Sequence, residues 1–259
     1  MPWREDTRPY YIWLSELMLQ QTQVSRVVPK FEQFIARFPD VSALSRASLA
    51  EVLEAWNGLG YNRRAKFLWQ AAIVIMDRFA GVLPSTYDDL VELPGIGPNT
   101  AGAILAYAYN QPVVFVETNI RSVYLHYFFS ASTDKVADGA IRDLVQQTLD
   151  MREPREWYWA LMDYGTYLKT QLGSHLEKSA QYKKQSRFEG SLREVRGRII
   201  RALLSGPMSA EALRTHLNLS GDARFDSAVT SLQTEQLIMM SDSVLGLTDW
   251  STSSHNESA

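Results

Sequence analysis

"LPGIGPNTAGAIL", residues 93–105, opens a helix of small side chains directly out of a turn that holds two glycines and a proline. Without a Cβ, Gly95 and Gly97 can take positive φ, and successive N–H groups can then converge on one anion. A helix that begins near Asn99 and Thr100 adds its N-terminal partial positive charge at the same point. Helix, L-P-G-x-G turn and second helix make a helix-hairpin-helix shape, which suits a nucleic-acid phosphate and reads no base. A Gly-x-Gly turn between helices is more often only a turn, so its surroundings decide.

Upstream, residues 11–38, 49–60, 62–81 and 86–95 place apolar residues at helical spacing, and Pro39, Gly58 with Gly60, and Gly81 with Pro84 punctuate them. Downstream, "QPVVFVETNIRSVYLHYFF" (residues 111–129) begins β-branched and reads as a loop into a helix, with Thr118 or Asn119 near its cap. Residues 137–150 and 154–172 give two more helices. Beyond them the texture changes. Residues 192–206, 208–219 and 224–237 read as three short helices, and "IMMSDSVLGLTDW" (residues 238–250) reads as a hairpin tipped by Ser-Asp-Ser. Three helices and a hairpin form the winged-helix pattern, which serves DNA binding and plain packing alike. The expected class is all-α: two lobes, with the hairpin at the cleft between them, over residues 1–187, a winged helix over 188–250, and a disordered tail over 251–259.

The 259 residues are 46% apolar, enough for a packed core, and no apolar run reaches the roughly 18 residues of a membrane span. The N-terminus has no signal-peptide core, so an intracellular protein of cytoplasm or nucleoid is expected. There is no cysteine, which excludes disulfides and thiolate-held clusters, and the four histidines lack metal-ligand spacing. Neither metal nor cofactor is expected. Net charge is −3, yet between Lys178 and Arg201 eight Lys or Arg stand against Glu189 and Glu194. A solvated helix face and a nucleic-acid contact are both open for that segment.

"PYYIWLSELMLQQTQVSRVVPKFEQFIARFP", "VLEAWNGLGYNRRAKFLWQAA", "LPGIGPNTAGAILA" and "ETNIRSV" follow one another in an order and spacing that resemble the helix-hairpin-helix DNA glycosylases. Over roughly residues 2–175 the chain looks most like the adenine DNA glycosylases of the MutY type, with endonuclease III and the thymine mismatch glycosylases more distant. The resemblance implies that Glu16 protonates a flipped adenine, as a carboxyl group in an apolar pocket can do near neutral pH. It places Gln20 and Gln21 in the duplex near the lesion and makes Tyr61 an aromatic wedge. Asn119 matches an asparagine supporting the catalytic loop, and Arg121 a basic position facing phosphate.

Three departures stand out. Where the family has a catalytic aspartate that stabilises the sugar cation, this chain has Glu117, the same charge one methylene further out. Where the bifunctional lyases have a lysine nucleophile, Asn99 stands, so the chemistry is expected to stop at an abasic site. Where most relatives have four cysteines around a [4Fe–4S] cluster, Lys169 takes the first position; Lys183, Lys184 and Arg187 in the basic segment are expected to contact DNA in that loop's place. The expected activity is a monofunctional, monomeric glycosylase in base excision repair, acting on duplex DNA with a mismatched or damaged base, with adenine opposite 8-oxoguanine or guanine as target. A uracil or thymine mismatch glycosylase and a non-catalytic lesion sensor stay open as alternatives.

Overall fold

The computed structural model describes residues 1–173, 176–182 and 187–248. In chain order its helices are α1 (Pro2–Glu5), α2 (Pro9–Leu19), α3 (Val24–Arg37), α4 (Val41–Arg46), α5 (Leu49–Trp56), α6 (Arg63–Phe79), α7 (Tyr87–Glu92), α8 (Pro98–Tyr109), α9 (Thr118–Phe128), α10 (Asp138–Thr148), α11 (Pro154–Leu172), α12 (Leu192–Leu203), α13 (Ala210–His216) and α14 (Ala223–Thr234). Strands β1 (Met208–Ser209), β2 (Ile238–Ser241) and β3 (Val244–Leu247) form an antiparallel sheet in the order β1-β3-β2. No described helix is long and apolar enough to cross a membrane.

Two compact units divide the chain. One comprises residues 1–16 with the described part of 83–185, the other residues 17–82 with the described part that follows 186. In the first, α9 packs along α11, and the core holds Phe115, Ile120, Leu125, Ile141 and Tyr158. The Phe115 and Tyr158 rings lie 4.2 Å apart. Two glycines let backbone approach where a side chain would block it. A Cβ on Gly102 of α8 would stand 2.8 Å from Cβ of Phe115, and one on Gly165 of α11 would stand 2.4 Å from the Asn119 carbonyl oxygen. Gly165→Ala is therefore expected to cost about 1–3 kcal/mol or more through overpacking. Urea unfolding measures it, and a loss near zero would show that α9 moves aside freely.

In the second unit the caps follow sequence chemistry. Asp40 accepts from Ala43 N, and Ser48 with Glu51 closes a capping box at the start of α5. The segment 11–38, continuous by periodicity, is broken in the structure between α2 and α3, where Gln21 adopts φ 57°. Arg64, described below, makes that break. The C-terminal elements have winged-helix order, and Asp242 and Ser243, both at positive φ, form the tight turn between β2 and β3. Residues 249–259, which include the expected tail, lie outside the described residues.

Candidate active site

In the first unit, α8 rises from the glycine turn with Gly97 as N-cap and Pro98 at its first position, where a missing N–H costs nothing. Gly95 takes φ 80°, as a tight turn requires. Gly97 does not: its φ of −92° is open to any residue, and its share in the turn is empty space, with nothing within 4 Å of where a Cβ would sit. Asn99 is exposed and Thr100 half-buried on the first turn of α8.

Residues 111–116 run extended from α8 to α9 with no strand partner, and side chains bind the backbone instead. Tyr158 Oη donates to Val113 O at 2.7 Å and accepts from Phe115 N at 3.3 Å. Arg142 donates to Val114 O at 3.1 Å, and Val116 N donates to Asn99 Oδ1 at 3.5 Å. Buried backbone must find partners. Here it finds them on α8, α10 and α11, so the loop has one position. Glu117 follows as the N-cap of α9, and its side chain does not cap the helix. Asn119 is the second residue of α9, against Gly165. Arg121 pairs with Asp138 through two bonds of 2.8 and 2.7 Å, so its guanidinium faces that carboxylate, while its charge still favours an ionised Glu117.

The Glu117 carboxyl meets Glu16 of α2. The two share a hydrogen bond, and each residue keeps part of its surface accessible. Burial pushes both acids up. Glu16 goes well above the usual carboxylate range because the Glu117 charge adds to dehydration. Glu117 is raised by burial to about 7, with Arg121 and the Glu16 hydrogen bond opposing. Two buried acids and one shared bond leave the proton on Glu16 and the charge on Glu117. A protonated acid and a carboxylate thus stand side by side near neutral pH.

The same shifts predict the stability profile. An unfolded glutamate loses its proton near 4.5, whereas the folded pair holds on to about 7 and beyond. The pair's contribution to stability is complete below pH 4.5 and is lost as pH rises through 7, at about 1.4 kcal/mol per pH unit for each proton involved. Urea unfolding between pH 5 and 8 should show this decline, and Glu117→Gln should flatten it. An unchanged slope in that variant would assign the titration elsewhere.

In the second unit, the residues expected to enter DNA cluster around Arg64, to which its motif assigns no role. Arg64 of α6 is buried, and its Nη1 donates to the carbonyls of Leu17, Met18 and Gln20 at 2.7, 2.9 and 2.6 Å. Its Nη2 reaches Thr22 Oγ1 at 3.1 Å and Gly60 O at 3.2 Å. Desolvation lowers Arg64 to about 10, still charged at neutral pH. One guanidinium therefore ends α2 and holds both the Gln20–Gln21 turn and the Leu59–Tyr61 turn. Tyr61, at φ 49°, lies under the Arg64 guanidinium at 5.4 Å and that of Arg193 from α12 at 5.3 Å, and Arg193 also donates to its hydroxyl. The only signal in the sequence was an arginine two residues past "GLGYN".

Much of the basic segment is spent internally. Lys178 bonds the carbonyls of Phe129 and Ser130, Arg196 pairs with Glu235, and Arg198 bonds Leu217 O. Arg187 is exposed; Lys183 and Lys184 lie outside the described residues. Among the described residues no three His, Cys, Asp or Glu gather as a metal site, and without cysteine the chain has no thiolates for an iron–sulfur cluster.

Hairpin turn, braced loop and buried acid pair define a helix-hairpin-helix protein with an acid and a carboxylate behind the hairpin. Residues 14–147 match the model of the HhH-GPD superfamily base excision DNA repair proteins, and the chain belongs to that family. It is 36% identical over 259 aligned residues to an adenine DNA glycosylase of Mycolicibacterium smegmatis, covering 92% of this chain and 87% of that protein. To the adenine DNA glycosylase of Buchnera aphidicola (strain Bp) it is 34% identical over 65% of this chain, and it spans 48% of that relative; it covers about half of the further Buchnera relatives too. A thermostable thymine-DNA glycosylase shares the fold at TM-score 0.61 and 22% identity, covering 70% of this chain and 84% of that one. A non-covalent endonuclease III–DNA complex shares it at TM-score 0.57 and 19% identity, over 63% and 77%.

Proposed function

We propose that this protein is a monofunctional DNA glycosylase that hydrolyses the N-glycosidic bond of a mismatched adenine flipped out of duplex DNA. The observation that carries the reading is the Glu16–Glu117 pair, with the proton on Glu16 and the charge on Glu117 near neutral pH. Glu16 gives its proton to a ring nitrogen, so the adenine leaves neutral. The electrons of the broken bond go with the base, and the Glu117 carboxylate offsets the positive sugar left behind. Water adds to the sugar and its surplus proton restores the acid. Asn99, an amide, forms no Schiff base, which supports hydrolysis that ends at an abasic site.

Binding assigns Gly95, Gly97, Asn99 and Thr100 to a backbone phosphate, Gln20, Gln21 and Tyr61 to the gap left by the flipped base, and Asn119 and Arg121 to support of the Glu117 loop. Lys183, Lys184 and Arg187 add phosphate contacts. In this reading residues 1–187 carry the chemistry and 188–250 form the appended winged helix, in a protein that acts as a monomer without a cofactor. Relatives named adenine DNA glycosylase support adenine as the base.

Single-turnover cleavage at excess protein, followed by alkali, on duplexes with A:8-oxoG, A:G, T:G and U:G pairs tests it. Alkali-dependent breaks confined to adenine pairs are the expected result. Cleavage of T:G or U:G alone would move the protein to pyrimidine substrates, and tight binding without cleavage would make it a lesion sensor.

A further inference from the structure

Four buried side-chain atoms among the described residues lack a hydrogen-bond partner: Trp13 Nε1, Arg64 Nε, Tyr107 Oη and Arg155 Nε. The two arginines bond through other nitrogens, Arg64 through Nη1 and Nη2 and Arg155 through Nη2 to Ala108 O at 3.1 Å. Tyr107 has a single polar atom, and it is unused. Buried hydroxyls are rarely left so, and an exception in a native fold calls for a reason.

The ring cannot turn to find a partner. It stacks on Trp159 at 6.0 Å and 21°, and it meets the edges of Phe115 at 5.9 Å and Tyr158 at 6.5 Å. Arg4 lies over the far ring, 5.2 Å from Trp159, and is itself paired with Asp163 at 2.7 Å. Tyr107 is on α8 and 4% exposed. Burial first, then the charges of Glu117 and Glu16, push its ionisation well up, so it remains a neutral O–H donor.

In this structure Glu117 takes its hydrogen bond from Glu16. In the reaction proposed above, Glu16 turns its proton to the base, and Glu117 loses its donor as it must face a sugar cation. We propose that the Tyr107 hydroxyl is the positioning group that takes over, donating to Glu117 once Glu16 has let go. No proton changes hands in this step; Tyr107 stays O–H throughout. The extra methylene of Glu117 gives its carboxylate one more rotatable bond than an aspartate has, a freedom the exchange can use while the backbone stays the cap of α9. The exchange rests on the proposed role of Glu16, but its test does not require cleavage.

Tyr107→Phe is placed in four backgrounds and unfolding in urea is measured at pH 8. In the wild type and in Glu16→Gln, whose amide still donates to Glu117, the change should be neutral or slightly stabilising, because it removes an unpaired hydroxyl. In Glu16→Ala and in Glu16→Leu, which fills the space, Glu117 has lost its donor and Tyr107 should already have replaced it. There Tyr107→Phe should shift the folding equilibrium against the native state by roughly tenfold or more, as expected for a hydrogen bond to a charged group. An equal effect in all four backgrounds overturns the exchange. A protein that cleaves no duplex but shows this coupling would refute the glycosylase reading and leave the Tyr107–Glu117 contact standing.

Discussion

Glu16→Gln should lower single-turnover excision by about 10²–10⁴-fold while leaving duplex affinity nearly unchanged. Glutamine keeps the shape and a hydrogen bond to Glu117, so what disappears is the transferable proton. The loss should fall on the chemical step, read at saturating protein, rather than on binding. The Glu117 charge beside Glu16 is one cause of the acid's hold on its proton, so neutralising Glu117 should also move the pH at which Glu16 works. Full activity in Glu16→Gln would remove adenine protonation from the mechanism and favour a pyrimidine, which leaves as an anion.

The second large effect is structural. Arg64→Ala should cost about 3–5 kcal/mol of stability, because it removes the buried donor shared by the carbonyls of Leu17, Met18, Gln20 and Gly60, of which Gly60 O keeps only Trp56 Nε1 at 3.1 Å. Arg64→Lys should recover little, since a single ammonium cannot reproduce a planar fork that serves two turns at once. Urea midpoints of both variants decide the matter. A shift below about 1 kcal/mol in Arg64→Ala would mean that water replaces the guanidinium and that the turns hold without it. If the turns depend on Arg64 as described, proteolysis around Gln21 should quicken in the alanine variant.

The helices and the hairpin were legible because their signals are local. Pro98 after Gly97 and apolar spacing along α3, α5 and α6 each report on one element. Glu16 and Glu117 were legible as a pair only through resemblance; nothing local says that residues 101 positions apart share a hydrogen bond. Arg64 was missed because an arginine near the start of a helix ordinarily points to solvent, and its burial is decided by two turns from distant sequence. The phosphate-facing role expected for Arg121 rested on residue type, whereas its observed partner Asp138 lies 17 residues on and belongs to another helix. Gly97 is free to take positive φ, yet its backbone is ordinary, and what it supplies is the open space beside it. Tyr107 reads as core by periodicity, and it is core, apart from one oxygen.

Gly102 and Gly165 bear on how this protein can change over evolutionary time. The loop leading to Glu117 owes its address to two missing methyl groups, one on α8 and one on α11. A longer acid at position 117 leaves that address intact, since the added carbon extends into the site and away from the packed backbone. A single carbon at 102 would press on Phe115 in the loop, and one at 165 on Asn119 just after it. Variation in the reactive group is therefore cheaper here than variation in two silent positions of the frame, and a search for altered activities should vary the acid pair and its donor while leaving both glycines alone.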